Sequence, residues 1–260
     1  MPLTSDISAL HEYRLFVMNP EMRQREKPQW NLRMMEMFSG ISRRYDLLNT
    51  LMTFGMDRFW RSQVLSLTGI RPGGLLLDAG AGTGMIARDA VLRFPLIKVV
   101  AADLTPEMMK VGRGRSGQVN ITWCCADALD LPFRDGTFDA VTSGYLIRNV
   151  PDISRCFSEQ LRVVKPGGKV VCLDTAPPPD TLIKPLVLFH LKVVIPVLGG
   201  LISGKWDAYQ YLPESTRSFK TPDEISAIME DTGFTDIVYR RYMFGTIVVI
   251  KGTRPLMPPS

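Results

Sequence analysis

Residues 78 to 84 read Asp78-Ala79-Gly80-Ala81-Gly82-Thr83-Gly84 and follow directly on the apolar run Leu75-Leu76-Leu77. Glycines at this density let a strand turn sharply into a helix, and they leave bare backbone N–H groups for a ligand to lie against. Asp103 ends the next apolar run, Val99-Val100-Ala101-Ala102. An acid at that place suits the two hydroxyls of a ribose. Together these residues describe a nucleoside-binding βαβ unit, against the plainer alternative of a glycine turn between a strand and a helix.

The glycine spacing narrows the nucleoside. Dinucleotide sites favour G-x-G-x-x-G, where a helix N-terminus serves a pyrophosphate. Here glycines fall at every second position and Asp78 precedes them. A carboxylate beside a phosphate is repelled, whereas beside a sulfonium and an amino group it is favourable. The pattern resembles the first motif of the Rossmann-like methyltransferases that use S-adenosylmethionine.

Further polar residues sit where strands should end. Asp127 closes the run Ile121–Cys125 and is placed to accept from an adenine amino group, with the Ala128 amide beside it. The alternative is an ordinary strand-end acid. Asp139 opens the next strand, at the end away from the ligand, and reads as structural. That strand runs into Gly144-Tyr145-Leu146-Ile147-Arg148-Asn149-Val150. This loop faces the reactive end of a bound nucleoside, so Arg148 and Asn149 are candidates for substrate contact. A surface ion pair is the competing use of Arg148.

The elements needed to hold these residues are legible. Strands are expected at Leu75–Ala79, Lys98–Ala102, Ile121–Cys125, Asp139–Ser143 and Lys169–Leu173. Helices are expected at Met85–Arg93, Pro106–Arg113 and Ile153–Val163, with Lys165-Pro166-Gly167-Gly168 as a turn before the fifth strand. Two closing strands follow, near Asp236–Arg241 and Gly245–Lys251. Five alternating units imply a doubly wound α/β fold, with the ligand at the strand carboxyl ends. Thr221, Pro222 and Glu224 have the spacing of a capping box on a helix that ends near Gly233. Residues 30–70 are helical, with Phe38, Ile41, Tyr45, Leu48 and Met52 on one stripe. Residues 1–29 form an extension, 30–252 the single domain, and 253–260 a tail.

Residues 176–220 interrupt the alternation. They hold Pro177-Pro178-Pro179, an apolar run from Leu182 to Ile202, and Trp206, Tyr209 and Tyr211. The run is about long enough to span a bilayer. Lys184, Lys192, Pro185, Pro196 and Gly199-Gly200 argue instead for an apolar lid or a membrane-surface element. Leu186, Val187, Leu188, Val193, Val194, Ile195, Val197 and Leu198 supply its apolar surface, with Lys184, Lys192 and Lys205 for lipid head groups. Packing over the sheet, or a homodimer interface, is the other use of the same run.

Composition bounds the remainder. The 260 residues suffice for one α/β domain, and 45% hydrophobic with 22% charged is ordinary for a globular chain. A net charge of +5 without a dense basic block does not favour nucleic acid. Cys124, Cys125, Cys156 and Cys172 lack metal-type spacing, so reduced thiols and no metal are expected. The N-terminus lacks the apolar core of a signal peptide, which points to the cytoplasm.

The longer match is more specific. The chain resembles the UbiE-type ubiquinone/menaquinone biosynthesis C-methyltransferases over about residues 37–252. The resemblance is carried by Met37-Phe38, Arg43-Arg44-Tyr45-Asp46-Leu47-Leu48-Asn49, Leu51-Met52-Thr53-Phe54-Gly55 and Arg58-Phe59-Trp60. It continues through the glycine turn, Ala128-Leu129, Leu131-Pro132-Phe133 and Arg148-Asn149-Val150. Leu161 to Gly168 and Tyr209-Gln210-Tyr211-Leu212-Pro213-Glu214-Ser215 complete it.

That resemblance implies a Rossmann-like methyltransferase fold, with a seven-stranded, mostly parallel sheet, helices on both faces and an apolar lid. The reaction it implies is methyl transfer from S-adenosylmethionine to a ring carbon of a reduced prenylated quinone precursor. By the same resemblance the enzyme is cytoplasmic, with peripheral contact at the inner face of the membrane. By motif position the resemblance assigns cofactor contacts to Thr83, Asp103, Asp127 and Ala128, and the reading of the glycine turn and strand ends adds Asp78, Gly80, Gly82, Gly84, Leu104 and Gly144. Arg148, Asn149 and Tyr45 are the implied catalytic set: Arg148 stabilises a developing phenolate, Asn149 orients a water or ring oxygen, and Tyr45 closes the pocket. His190 is a candidate base, since imidazoles titrate in the useful range. Three positions depart from the family pattern: Met85 stands where an acid is common, Gly144 where a serine is common, and Tyr145-Leu146 where Phe-Gly is common. They keep open another small aromatic or apolar acceptor; the glycine turn, Asp103 and Arg148-Asn149 argue against a third reading, a non-catalytic quinone- or lipid-binding partner, and a nicotinamide-dependent oxidoreductase ranks last.

Overall fold

The computed structural model describes residues 29–117, 119–203, 215–216 and 219–256. The extension before Gln29, Lys205, Trp206 and the segment from Tyr209 to Glu214 lie outside the described residues.

Apolar runs bounded by turns become the strands β1 (Leu75–Ala79), β2 (Lys98–Asp103), β3 (Ile121–Cys125), β4 (Phe138–Gly144) and β5 (Val164–Thr175). The sheet order is β3-β2-β1-β4-β5-β7-β6, with β6 at Thr235–Tyr242 and β7 at Ile247–Thr253. β1 to β5 pair in parallel, and β7 runs antiparallel to both β5 and β6. Near-continuous burial along the central strands is what a parallel sheet covered on both faces requires.

The single helical stretch read from residues 30–70 is three helices. They are α1 (Gln29–Ile41), α2 (Tyr45–Met52) and α3 (Asp57–Thr68). Gly55 and Gly69, both at positive φ, make two of the bends. Next come α4 (Met85–Arg93), α5 (Pro106–Ser116) and α6 (Ile153–Val163). Alternation along each strand divides the core. Leu76, Ala140 and Val99 pack toward Leu65 of α3 and Ile86 and Ala87 of α4. Leu77, Val141 and Cys172 pack toward Phe157 of α6 on the other face.

Lys165–Gly168 does not separate helix from strand as the sequence suggests. It lies inside β5, where pairing with β4 shifts from Phe138↔Val164 to Ala140↔Lys169. Asp139 secures this end by accepting from Leu75 N and Lys165 Nζ, both at 2.8 Å. Arg254, in the segment read as a tail, is bonded to the domain. Arg254 Nη1 donates to the carbonyls of Leu161, Arg162 and Val164 at 3.1, 2.8 and 2.6 Å.

The apolar run forms α7 (Lys184–Phe189), a π-helical turn (His190–Val194) and α8 (Ile195–Ser203). By length and composition this helix could cross a membrane. Ile195 and Ile202 pack against Ile41, Leu48 and Met52 of α1 and α2. Leu182, Leu186, Phe189, Val193, Val197 and Leu201 are exposed on a helical stripe. After it, α9 (Pro222–Thr232) opens with the capping box of Thr221 and Glu224 and ends at Gly233.

Candidate active site

The turn after β1 places Gly80, Gly82 and Gly84 at φ of 65°, 57° and 73°. Gly80 is also crowded: a Cβ there would stand 2.6 Å from Leu146 Cδ1. The backbone therefore approaches the cleft with no side chain between. Beneath the turn, Asp78 accepts from Ala87 N at 3.0 Å and Thr142 Oγ1 at 3.1 Å. It also lines the cleft. Burial pushes its carboxyl up to about 7, against the lowering effect of those two bonds.

Asp103, at the end of β2, accepts from Gly82 N through Oδ2 and from Thr105 N through Oδ1, both at 2.7 Å. Burial raises its carboxyl above the ordinary range, and the two amides oppose that shift. Carboxylate oxygens have further acceptor sites, so the group is fixed without being saturated. Asp103, Leu104, Ala128 and Gly144 all line the same cleft, which encloses about 1230 Å³ open to solvent. Met85 lines it as well, as an apolar wall near the glycine turn.

The N-terminal helices close over this cleft, an arrangement the helical stripe does not reveal. Asn31 Nδ2 of α1 donates to Asp127 Oδ2 at 2.7 Å, and Leu129 N donates to Asp127 Oδ1 at 2.9 Å. Thr83 Oγ1 donates to Asp46 Oδ1 at 2.5 Å. Asp46 also pairs with Arg115, and Ser39 Oγ donates to Glu107 Oε2 at 2.9 Å. Thus Asp127 and Thr83, both read as cofactor contacts, also tether the helices.

Arg148 and Asn149 are adjacent in sequence and face different cavities. Asn149 and Tyr45 line the cofactor cleft, and Asn149 Nδ2 donates to Tyr145 O at 2.7 Å. Arg148 lines a second, apolar cavity of about 1430 Å³, also open to solvent, between α2, the lid and the β6–β7 connection. Asn49 and Tyr145 line both cavities. Tyr145 holds a positive φ of 56° at this junction. Burial pushes its hydroxyl far up, and that of Tyr45 upward too, with Arg148 opposing both.

The ion pair of Arg148 is a buried one. Its Nη1 donates to Asp174 Oδ1 at 2.7 Å, and Asp174 has no exposed surface. Burial opposes the guanidinium charge, but Asp174, Tyr45 and Tyr145 more than offset it and hold the group above its usual range. His190 lines the same cavity, with Nε2 3.3 Å from Met52 O and its ring stacked on Phe54 at 5.7 Å. Lys184 pairs with Asp180 rather than standing free for a head group.

Asn31, Asp46 and Asp174 escaped sequence reasoning. Asp174 carried a readable signal: it is an acid at the carboxyl end of a strand, as Asp103 and Asp127 are. Asp46 stands in the Tyr45–Asn49 segment that carries the family resemblance, but nothing there gave it a role; Asn31 had only its polarity beside an apolar stripe. Among the described residues no group of His, Cys, Asp and Glu is arranged to hold a metal ion.

The cleft suits a nucleoside with a cationic centre: bare amides, a fixed carboxylate at the ribose position and Asp78 near the turn. Comparison with known proteins agrees. The profile of the ubiE/COQ5 methyltransferase family matches residues 25–254. A ubiquinone/menaquinone biosynthesis C-methyltransferase of Desulfotalea psychrophila is 41% identical over 84% of this chain and 89% of its own. A demethylmenaquinone methyltransferase of Thermus thermophilus is 40% identical over 84% of this chain and 100% of its own. Among solved structures, a phosphoethanolamine N-methyltransferase of Haemonchus contortus holding S-adenosylhomocysteine superposes with a TM-score of 0.59 at 20% identity. That match covers 75% of this chain and 52% of the other, and it speaks to fold alone.

Proposed function

The chain belongs to the ubiE/COQ5 methyltransferase family, and from that premise we propose that its two cavities divide the work between cofactor and quinol. It is an S-adenosylmethionine-dependent C-methyltransferase of ubiquinone/menaquinone biosynthesis. The acceptor is a reduced prenylated ring, demethylmenaquinol and/or a 2-polyprenyl-6-methoxybenzoquinol. One observation carries this reading: the cofactor cleft and the apolar cavity share Asn49 and Tyr145 as a common wall. A ring at that junction would keep its tail in the apolar cavity.

S-adenosylmethionine supplies an electrophilic methyl on a sulfonium. The protein must make a ring carbon nucleophilic, which requires a hydroxyl of the hydroquinone to lose its proton. Arg148 stays protonated and cannot take that proton, which passes to a water or to the imidazole of His190 on the wall of the same cavity. Its guanidinium instead stabilises the phenolate oxygen as charge develops in a cavity with few other polar groups. Tyr45 and Asn149 hold the ring from the cofactor side, directly or through a water. Much of the barrier reduction is alignment, worth about 7–11 kcal/mol in favourable systems.

The lid gives the tail access. Its exposed stripe, Leu182 to Leu201, continues into Phe54 through the His190 stack. Such a face, with exposed Lys192 beside it, suits peripheral contact with the inner face of an anionic membrane. The enzyme then draws its substrate from the bilayer while remaining cytoplasmic. Quinone mass spectrometry in a bacterial host lacking its own quinone C-methyltransferase tests the activity. A one-methyl gain on either precursor supports the reading and names the ring; no gain from well-expressed protein rejects it.

A further inference from the structure

Asp174 stands one residue before the end of β5, and its carboxylate accepts three hydrogen bonds. Oδ1 accepts from Arg148 Nη1 at 2.7 Å and from Thr175 N at 2.8 Å, and Oδ2 accepts from the Arg148 backbone N at 3.2 Å. One carboxylate therefore fixes both the helical turn Ile147–Asn149 and the head of the arginine that turn carries. Nη1 also lies 3.5 Å from Thr175 Oγ1, which meets Thr216 Oγ1 at 3.1 Å. The guanidinium carbon stands 5.0 Å from the centre of the Tyr145 ring. Arg148 Nε is buried and has no partner among the described residues.

Replacing a buried ion pair by apolar side chains of similar volume is often neutral or stabilising. The cavity that Arg148 lines is walled by apolar residues such as Leu191, Val194, Ile195 and Ile247. An uncompensated cation in such a cavity would also oppose entry of a neutral, greasy ring. A compensated one admits it and still presents donors when the ring oxygen becomes negative.

We propose that Asp174 is a positioning residue for methyl transfer: it aims the Arg148 guanidinium into the apolar cavity and offsets enough of its charge for a neutral hydroquinone to bind. This rests on the reading of Arg148 as the phenolate-stabilising group. Asp174, Tyr145 and Tyr45 are the charged or titratable groups that act on Arg148, and His190 lines the cavity from the lid.

The test uses the full chain with a reduced, demethylated quinol in detergent, and it reads kcat, KM, cofactor affinity and the acid limb of the kcat profile. Asp174→Asn should lower kcat by roughly tenfold or more, with cofactor affinity unchanged. Its acid limb should move to lower pH by about half a unit or more, because an uncompensated Arg148 makes the ring hydroxyl more acidic. Asp174→Glu keeps the charge, so its limb should stay at the wild-type pH although turnover is slower. The same shift should persist in a His190→Gln background, which separates the ring hydroxyl from the imidazole. In an Arg148→Gln background, Asp174→Asn should slow turnover no further.

An Asn variant with wild-type kcat, or a slow one whose limb does not move, overturns the proposal. If Asp174→Asn fails to bind cofactor, the Glu variant and the double variant decide. A shifted limb for Glu, or a double variant slower than Arg148→Gln alone, overturns it equally. Wild-type turnover by Arg148→Gln would instead bring down the arginine's role itself.

Discussion

The two cavities that meet at Tyr145 and Asn49 differ in what holds most of the groups that face them. In the cofactor cleft, carboxylates at strand ends are fixed by backbone amides. Asp78 is held by Ala87 N, Asp103 by Gly82 N and Thr105 N, and Asp127 by Leu129 N. Their positions follow from parallel register, with Asp78 opposite Ala101 and Ala79 opposite Ala102. In the apolar cavity the contacts run from side chain to side chain: Arg148 on Asp174, a carboxylate that the amides of Arg148 and Thr175 also hold, His190 on Phe54, and Thr216 on Thr175. A backbone-built site tolerates sequence change around it and serves one cofactor in many proteins. A side-chain-built site changes with each substitution and can be fitted to one acceptor.

The sharpest way to break this contrast is to remove the charge from the apolar side. Arg148→Ala should cut kcat by roughly a hundred- to a thousandfold, the range seen for a lost charge-stabilising donor. Cofactor affinity should stay within about twofold of wild type, because Arg148 does not line the cofactor cleft. Calorimetric titration beside steady-state turnover reads both. Parallel loss of the two would mean that the cavities are one cooperative unit, and that the uncompensated Asp174 carboxylate unfolds it.

The converse change acts on the cofactor side. Asp103→Ala removes a ribose acceptor and strands the amides of Gly82 and Thr105. Each hydrogen bond to a charged group is worth about 1.5–3 kcal/mol, so cofactor Kd should rise ten- to a hundredfold. Quinol KM at saturating cofactor should hold. Asp103→Asn should recover only part of the loss, since an amide has one oxygen to offer two N–H donors. Unchanged affinity in the Ala variant would refute the ribose assignment.

That difference in construction also explains what could be read from sequence. Met85–Arg93, Ile153–Val163, Leu75–Ala79 and Ile121–Cys125 are legible to the residue, since periodicity and turn chemistry are local. Asp103 is legible because glycine turn and strand end lie in one βαβ unit. The tethers Asn31–Asp127 and Asp46–Thr83 join residues 96 and 37 positions apart, and no local pattern records them. The same holds for the split between Arg148 and Asn149: a tight helical turn sends neighbouring side chains to different sides. Lys165–Gly168 looked like a boundary because its glycines mark a bend, yet the bend is a register shift inside a strand.

A smaller effect concerns Asp78. Its native carboxyl lies near 7, above the value of about 3.9 expected in the unfolded chain. An acid whose native value is the higher one takes up protons on folding. Stability should therefore fall as pH rises from about 4 to about 7, by at most about 1.4 kcal/mol per pH unit from this group. Asp78→Asn can keep both contacts, with its amide oxygen toward Ala87 N and its NH₂ toward the Thr142 hydroxyl. It should flatten that slope in thermal melts taken across the range. A slope that survives the substitution would assign the pH dependence elsewhere.

The smallest expected effect separates a membrane face from a merely apolar one. Val197 and Leu201 are exposed on the lid stripe and, unlike Leu186 and Phe189, do not line the cavity. Replacing Val197 and Leu201 by Ser removes apolar contact worth about 1.5–3 kcal/mol per fully buried side chain. Partial insertion at an interface would realise a fraction of that, so binding to vesicles containing anionic lipid should fall three- to tenfold in sedimentation. Turnover on a long-tailed quinol in those vesicles should fall with it. Turnover on a short-tailed, soluble quinol should stay close to wild type, because Arg148, Asn149, Tyr45 and the cofactor cleft are untouched. Equal loss on both quinols would make the stripe part of the cavity wall. No loss on either, with a change in oligomeric state, would make it the contact between two copies of the chain.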